Sequence, residues 1–331
     1  MQAVEGLIPF HHESFPSGFH SQTWYKIIGD RNSDHTPLIV LHGGPGYTHH
    51  YLKPTFGLFA RQTSTPVIFY DQIGNGNSTH IRDRRLDEAF WNVDLFVAEL
   101  QNLVAKLGLE GGFSLYGHSW GAMLALKYVA TRQPQGLQKI ILGSGPASMA
   151  LWKNAARDWL AALPPRQAAL LEEYRMGSIQ GSTEVDHALE ELDKLTTLMK
   201  EPFPRGLQES LKWLKEDNTV LLSTNGPNDL CDEGSMRGWS PVPSVPVLMI
   251  SGDQDGATSA TTTPLYEKLP TVKWVGIPGG SHMVHLEQPE SYSIPVGIWL
   301  HSAEQGTGVP ESPLPRLLSC DASSSPDLLN L

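Results

Sequence analysis

The 331-residue sequence predicts an α/β fold, in which helices cover both faces of a mostly parallel sheet and a helical segment is inserted within the sheet domain. In the first half, short apolar runs that end in glycine-rich turns alternate with helical periodicity, and this alternation returns near the end of the chain. Between them lies a long stretch of helical spacing without a clear strand. Alternation of this kind is typical of parallel strands joined by helices.

Most of the predicted strands are short and wholly apolar, as expected for strands that are buried on both faces. The exception is an antiparallel edge strand, which we predict at 22–28. The apolar runs that predict the remaining strands lie at 38–41, 67–70, 113–116, 140–142, 247–250 and 272–277. The helices predicted between and after them lie at 93–107, 261–269 and 291–300.

The middle of the chain, from about residue 149 to 238, is too long and too apolar to be a linker. Prolines divide it into several helical stretches, so we interpret it as a helical cap. The end of the chain is rich in Ser, Pro and Gly and has too little apolar surface to order itself. The predicted segments are the first part of the core at 1–145, the cap at 146–240, the second part of the core at 241–301 and a flexible tail at 302–331.

Composition and charge exclude several classes of partner. The 24 Lys and Arg against 35 Asp and Glu give a net charge of -11 without a basic stripe, which disfavours nucleic acid and anionic membranes. The N-terminal residues do not resemble a signal peptide, and no apolar run approaches the roughly 18 residues of a membrane span, so we expect a cytoplasmic protein. Two cysteines, Cys231 and Cys320, and the histidine pairs at 11–12 and 49–50 form no metal-binding pattern, so no metal or other cofactor is expected.

The sharpest motif is Gly117-His118-Ser119-Trp120-Gly121, which lies between a predicted strand and a predicted helix. Glycines two positions before and after the serine allow a strained turn that a larger side chain would obstruct. Such a turn raises the serine hydroxyl above the edge of the sheet, beside a helix N-terminus. The motif therefore predicts Ser119 as a nucleophile.

A serine hydroxyl needs a base to remove its proton. His282 follows the strand predicted at 272–277 and is the candidate base, and Asp255 follows the strand predicted at 247–250 and is the candidate that orients it. Asp253 and His285 are rival candidates close by. The order serine, acid, histidine, each at the carboxyl end of a strand, is that of α/β-hydrolases.

Acyl transfer also needs donors for the developing oxyanion. The glycine-rich turn at 42–46 follows an early strand and exposes backbone N–H groups without a Cβ in the way. Gly43 and Gly44 are expected to supply one donor, and the N–H of Trp120 is expected to supply the other.

Together these motifs resemble the proline iminopeptidase family of α/β-hydrolases, and the likeness extends to about residue 301. The family implies an eight-stranded core with a helical cap, a Ser-His-Asp triad, and hydrolysis of amide bonds next to a free N-terminal residue. The matching residues are His42 to Gly46, Asp71-Gln72 with Gly74, Gly76 and Ser78, Gly117 to Gly121, and Asn225-Gly226-Pro227-Asn228 in the cap.

In that family, acidic residues of the cap hold the α-ammonium group of the substrate, because a cation in a closed pocket must be neutralised. One such position is matched by Asp229, where the family usually has glutamate. The other falls near 185–188, where His187 stands in place of an acid. Glu184 is the nearby acid that we retain as a candidate, and a shift of register would bring in Asp186, Glu190 or Glu191 instead.

The resemblance and these departures define three hypotheses. The first is an aminopeptidase or amidase that acts on small amino-acyl or short peptide substrates with a free amine. The second, motivated by His187, is an esterase or amidase that acts on a small metabolite in a biosynthetic pathway. The third is a binding protein that has lost the chemistry, which the presence of every triad and oxyanion element disfavours.

Overall fold

The computed structural model describes residues 3–175, 178–179, 181–197, 202–224 and 245–302. In this part of the chain, eight strands form one sheet in the order β1-β2-β4-β3-β5-β6-β7-β8. The strands are β1 (Ala3–Phe10), β2 (Ser21–Ile28), β3 (Leu38–Leu41), β4 (Val67–Tyr70), β5 (Phe113–His118), β6 (Leu137–Gly143), β7 (Val247–Gly252) and β8 (Val272–Ile277).

Strands β3 to β8 are parallel, which confirms the predicted fold class, and β2 is antiparallel as predicted. The prediction that β2 is the edge strand is wrong, because β1 pairs with it from Ala3 to Phe10 and covers that edge. Strand β1 contains a glycine and a proline and is exposed over most of its length, so its apolar pattern is weak.

The described helices fall into two groups, those that cover the sheet and those inserted between β6 and β7. The first group contains α1 (Lys53–Thr63), α2 (Val93–Lys106), α3 (Trp120–Arg132), α9 (Ser259–Lys268), α10 (Val284–Glu287) and α11 (Pro289–His301). The inserted group contains α4 (Met149–Ala162), α5 (Pro165–Arg175), α6 (Thr183–Thr196), α7 (Arg205–Glu216) and α8 (Thr219–Thr224).

The sheet has a hydrophobic core on each face, and β3 shows why its strands are apolar throughout. Ile39 and Leu41 belong to the core that includes α2 and α3, whereas Leu38 and Val40 belong to the core that includes α1 and α11. Successive side chains of a strand point to opposite faces, so a strand covered on both sides buries every residue. All four residues of β3 are buried.

The inserted helices pack partly on one another and partly on the core. Helices α4 to α6 enclose a small cluster of their own, built on Leu163, Leu171, Val185 and Ala188. Helix α7 lies against the core, where Ser210 is hydrogen-bonded to Thr48. Just beyond α7, Asp217 binds His80 and Arg82 of the core.

The predicted segment boundaries remain predictions, because residues 225–244 and the predicted tail from 303 onward lie outside the described residues. Within the described ranges, no helix is both long and apolar enough to cross a membrane.

Candidate active site

The turn between β5 and α3 places Ser119 at the carboxyl edge of the sheet. Ser119 has φ 54° and ψ −118°, and its N–H donates a 2.8 Å hydrogen bond to the carbonyl of Gly143 on β6. A Cβ on Gly117 would lie 2.2 Å from the Gly121 oxygen, and a Cβ on Gly121 would lie 2.3 Å from the Leu41 oxygen. Both flanking glycines are therefore required by close backbone contacts.

His282 and Asp255 come together beyond the ends of β8 and β7. The distance from His282 Nδ1 to Asp255 Oδ1 is 2.7 Å, and both side chains are buried. The same carboxylate oxygen accepts a 2.7 Å hydrogen bond from the N–H of Ala257, which fixes its orientation. His282 and Ser119 line one cavity, so the structure brings the three predicted residues to one place.

The two rival candidates lie elsewhere. Asp253 accepts a hydrogen bond from the N–H of Gly279 at the surface, where it holds a turn. His285 is fully buried on α10 and is not bonded to Asp255, and burial lowers its pKa to about 3. A general base works best with a pKa near the operating pH, so His285 is poorly suited to that task.

The cavity beside Ser119 has a volume of about 290 Å³ and is lined about equally by the inserted helices and by loops of the core. Its wall is largely apolar and aromatic, and Asp193 is the one carboxylate among the described residues that line it. The apolar residues that the inserted helices contribute to the wall are Trp152, Trp159, Leu192, Leu214 and Leu221.

Helix α4 covers the candidate base directly. The Trp152 ring lies 5.4 Å from the His282 ring, centroid to centroid, and Trp159 packs edge-to-face on Trp152 at 4.9 Å. The indole of Trp152 therefore packs against the imidazole of His282.

The predicted oxyanion donors are only partly available. Gly44 lines the cavity and has φ +119°, and Trp120 is the first residue of α3, so its N–H has no partner within the helix. Gly43 corrects the prediction, because its N–H donates a 2.7 Å hydrogen bond to Tyr51 Oη and is not free for a substrate. Gly44 and Trp120 remain the candidate pair.

Gln72 holds the glycine-rich turn from the neighbouring loop. Its N–H donates to His42 Nε2 and its side-chain amide donates to the His42 carbonyl, while its amide oxygen accepts from the Trp120 indole. Burial lowers the pKa of His42 to about 4, which keeps the accepting nitrogen unprotonated. The Asp71-Gln72 motif thus positions the candidate oxyanion loop.

The substrate-binding residues predicted on α6 do not reach this cavity. Glu184 and His187 line a separate cavity on the outside of the inserted helices, where Glu184 pairs with Arg166 at 3.3 Å. The reason is helical phase, because Val185 and Ala188 face the small cluster of the inserted helices and turn their neighbours outward. Asp229, the other predicted residue, lies outside the described residues.

Asp193, near the end of the same helix, is the acid that sequence reasoning missed. Burial raises its pKa, and Thr197 Oγ1 donates a 3.2 Å hydrogen bond to its Oδ1. Helical periodicity could have predicted it, because Asp193 lies next to Leu192 on the face of the helix that Val185 turns inward.

The end of α6 is bonded to the loops that carry Asp255 and His282. The Thr196 carbonyl accepts from the N–H of Gly256, and the Thr197 carbonyl accepts from the N–H of Met283 and from Ser281 Oγ. The helix that carries Asp193 is thus fixed to both loops.

In the described ranges, no group of three or more His, Cys, Asp or Glu side chains is arranged to hold a metal ion.

Comparison with known proteins identifies the family of this chain. A family model described as alpha/beta hydrolase fold matches residues 36–289. Proline iminopeptidase from Levilactobacillus brevis is 32% identical over 295 residues, which cover 86% of this chain and 95% of that protein. Proline iminopeptidase from Lactobacillus delbrueckii subsp. bulgaricus is 32% identical over 314 residues, covering 92% of this chain and all of that protein. The chain belongs to the proline iminopeptidase family of α/β-hydrolases.

Solved structures agree with this family. The crystal structure of VinJ has a TM-score of 0.80 and 33% identity, covering 90% of this chain and 98% of its own. Proline iminopeptidase from Mycobacterium smegmatis has a TM-score of 0.76 and 34% identity, with the same coverage of both chains. The family assignment made from the motifs is confirmed.

Proposed function

We propose that this chain is a serine hydrolase that cleaves amide bonds of small amino-acyl or short peptide substrates with a free N-terminus. The observation that carries the proposal is one cavity lined by Ser119, His282 and the carboxylate Asp193. The names of the relatives, proline iminopeptidases among them, support the same substrate class.

The reaction proceeds through an acyl-enzyme. Ser119 Oγ attacks the carbonyl carbon while His282 Nε2 takes its proton, and Asp255 holds the imidazole through Nδ1. The N–H groups of Gly44 and Trp120 stabilise the oxyanion. The imidazolium then gives its proton to the leaving amine, and water, activated by the same histidine, releases the acid.

Asp193 is the anchor for the α-ammonium group of the substrate. Burial raises its pKa because desolvation disfavours the ionised form, and an ammonium group bound beside the carboxylate favours that form. The surrounding wall of tryptophan and leucine excludes water and strengthens the ion pair. Asp229 remains a second candidate for this task.

The small cavity also limits the substrate. Its volume of about 290 Å³, as the described residues define it, lies at the lower end of ligand pockets in proteins. A small amino-acyl group fits this space, whereas an internal segment of a folded protein does not.

The test is hydrolysis of prolyl and alanyl arylamides, each with a free and with an acetylated amine, with Ser119→Ala as the blank. We expect Asp193→Asn to raise KM for the free-amine compounds at least about thirtyfold, because a buried charge loses its partner, and to leave the acetylated compounds unchanged. Asp186→Asn, an exposed acid on the same helix, is the matched control. Equal losses on both kinds of substrate would exclude an ammonium site at Asp193.

The apolar character of the cavity wall favours one second candidate, an esterase or amidase that acts on a small metabolite. It predicts Ser119-dependent turnover of acetylated arylamides or esters at least as fast as turnover of the free-amine compounds. Protein in which a fluorophosphonate probe fails to label Ser119 would instead point to a binding protein without hydrolytic activity.

A further inference from the structure

A buried chain of hydrogen bonds runs beneath Ser119 and joins the oxyanion loop to the loop of the base. The Gly43 N–H donates to Tyr51 Oη at 2.7 Å, and Tyr51 Oη lies 2.9 Å from His118 Nδ1. His118 Nε2 in turn lies 2.9 Å from the carbonyl oxygen of His282. Tyr51 is 0% and His118 1% exposed, so solvent supplies none of these contacts.

The two ends of the chain assign every proton within it. The carbonyl of His282 can only accept, so His118 Nε2 must carry a hydrogen. A neutral imidazole has one N–H, so His118 Nδ1 accepts and the Tyr51 hydroxyl donates to it. The hydroxyl is left with its lone pairs for the Gly43 N–H, and all three contacts are satisfied.

The imidazole of His118 is held in its neutral form. Burial lowers its pKa well below the usual range, and the neighbouring His285 and His282 act in the same direction. Burial also raises the pKa of Tyr51 well above its usual range, so its hydroxyl keeps its proton. The donor and the acceptor of each hydrogen bond in this series are therefore fixed at neutral pH.

The contact with the oxyanion loop is tight. A Cβ on Gly43 would lie 2.8 Å from the His118 carbonyl oxygen and 3.0 Å from Tyr51 Oη. The peptide that leads into Gly44 is thus seated directly on the turn that carries Ser119. The Gly44 N–H belongs to the next peptide, so its position depends on how Gly43 is held.

We propose that Tyr51 and His118 are positioning residues for the hydrolytic reaction, which align the Gly44 N–H and the backbone of His282 with Ser119 and do so only through the Nε2–H tautomer of His118. This inference rests on the proposed function, in that Ser119 must be the nucleophile. The His282 carbonyl also accepts a hydrogen bond from Ser144 Oγ at 3.2 Å, so His118 is not needed merely to satisfy that carbonyl. We therefore assign His118 a positioning role rather than a purely structural one.

Tyr51→Phe tests the proposal, because it removes the donor to His118 and the acceptor of Gly43 while keeping the ring. We expect kcat to fall about tenfold to a hundredfold, part of the effect of losing one oxyanion donor, with KM changed less than about twofold. Tyr292→Phe is the matched control, since it also removes one buried hydroxyl, which pairs with Tyr116 Oη. Equal losses of kcat in the two variants, or none in Tyr51→Phe, would overturn the proposal.

Substitutions of His118 separate alignment from packing. Glutamine offers an amide oxygen to Tyr51 and an N–H to the His282 carbonyl, so the kcat of His118→Gln should stay within about threefold of wild type. Leucine offers neither, so the kcat of His118→Leu should fall as far as that of Tyr51→Phe. Because the two residues act as a unit, Tyr51→Phe combined with His118→Leu should lose no more than either alone. Additive losses of kcat in the double variant, or equal losses in the glutamine and leucine variants, would contradict the proposal.

Two readouts do not depend on the natural substrate. The rate of Ser119 labelling by a fluorophosphonate should fall in step with kcat, whichever acyl group the cavity selects. Nitrogen NMR of histidine-labelled protein should show one imidazole, absent from His118→Gln, that is protonated only on Nε2. An Nδ1–H tautomer or an imidazolium at this position at neutral pH overturns the proposal, whereas wild-type protein in which Ser119 is not labelled contradicts the proposed function instead.

Discussion

Glu99 is a carboxyl group that lies wholly inside the protein, on α2 behind the loop that carries Gln72. It accepts hydrogen bonds from Thr23 Oγ1 and from the N–H of Ile73, the residue after Gln72. Burial raises the pKa of Glu99 to about 8, although these hydrogen bonds act in the opposite direction. Glu99 therefore both anchors the loop and makes the stability of the protein depend on pH.

Replacing Glu99 with Gln should make the protein relatively more stable as the pH rises. In the unfolded chain Glu99 loses its proton near its ordinary pKa of 4.5, while the folded protein keeps it to about pH 8, so wild-type stability falls between these values. Glutamine does not titrate. Urea unfolding at pH 6 and pH 8 should show the difference in unfolding free energy moving by about 2 kcal/mol in favour of the variant. A difference that stays constant with pH would show that Glu99 is ionised in the folded protein.

The C-terminal end of α11 is capped by a lysine side chain from a strand. Lys139 of β6 donates from Nζ to the carbonyls of Trp299, Leu300 and Ser302, at 2.7, 3.1 and 2.7 Å. The last carbonyls of a helix have no partner within it, and a cation there also complements the helix dipole. The lysine therefore binds the end of the final helix to strand β6 of the sheet.

Lys139→Met should destabilise the protein without changing turnover. Three charged contacts are lost, so we expect about 2 kcal/mol of unfolding free energy and a Tm lower by about 4 to 8 °C. Lys268→Met, at the exposed end of α9, is the matched control and should leave Tm unchanged. Calorimetry and arylamide hydrolysis measure the two effects. An equal fall in Tm for both variants would show that the carbonyl contacts contribute nothing.

For the molecule as a whole, buried histidines determine the response to acid. Burial lowers the pKa of His42 to about 4 and that of His285 to about 3, and it holds the pKa of His118 well below its usual range. All three are fully buried near the carboxyl edge of the sheet. Folding therefore keeps three imidazoles neutral at pH values where the unfolded chain protonates them.

Stability should consequently fall as the pH falls below about 6.5. There the unfolded state binds more protons than the folded state, so each histidine contributes a loss of up to about 1.4 kcal/mol per pH unit, while Glu99 acts in the opposite direction. Between pH 6 and pH 5 we expect the loss from the buried histidines to exceed the gain from Glu99, so that stability falls. Urea unfolding across this range measures it. Unchanged stability would mean that these histidines are already charged in the folded state.

The fold could be predicted from the sequence because its strands are buried on both faces. Such strands appear as uninterrupted apolar runs, and the residues that follow them collect at one edge of the sheet. Ser119, Asp255 and His282 could be named for that reason. Strand β1 could not, because an exposed edge strand with a glycine and a proline has no such pattern.

The lining of the cavity could be predicted only poorly. Glu184 and His187 were placed by a register that no motif anchors, and helical phase turns them away, whereas Asp193 faces inward. The task of Tyr51 depends on a contact with His118, 67 positions later in the chain. Neither residue type nor local spacing predicts such a contact.

The bonds from the end of α6 to the loops of Asp255 and His282 bear on how this enzyme can be redesigned. A chimera that takes its inserted helices from a relative can displace the backbone carbonyls at positions 196 and 197, which accept hydrogen bonds from both loops. Selectivity and turnover would then change together. Point substitutions in the cavity wall, at Trp152 or Asp193, leave those carbonyls in place. Transplanted helices must therefore place two backbone carbonyls where those of Thr196 and Thr197 lie.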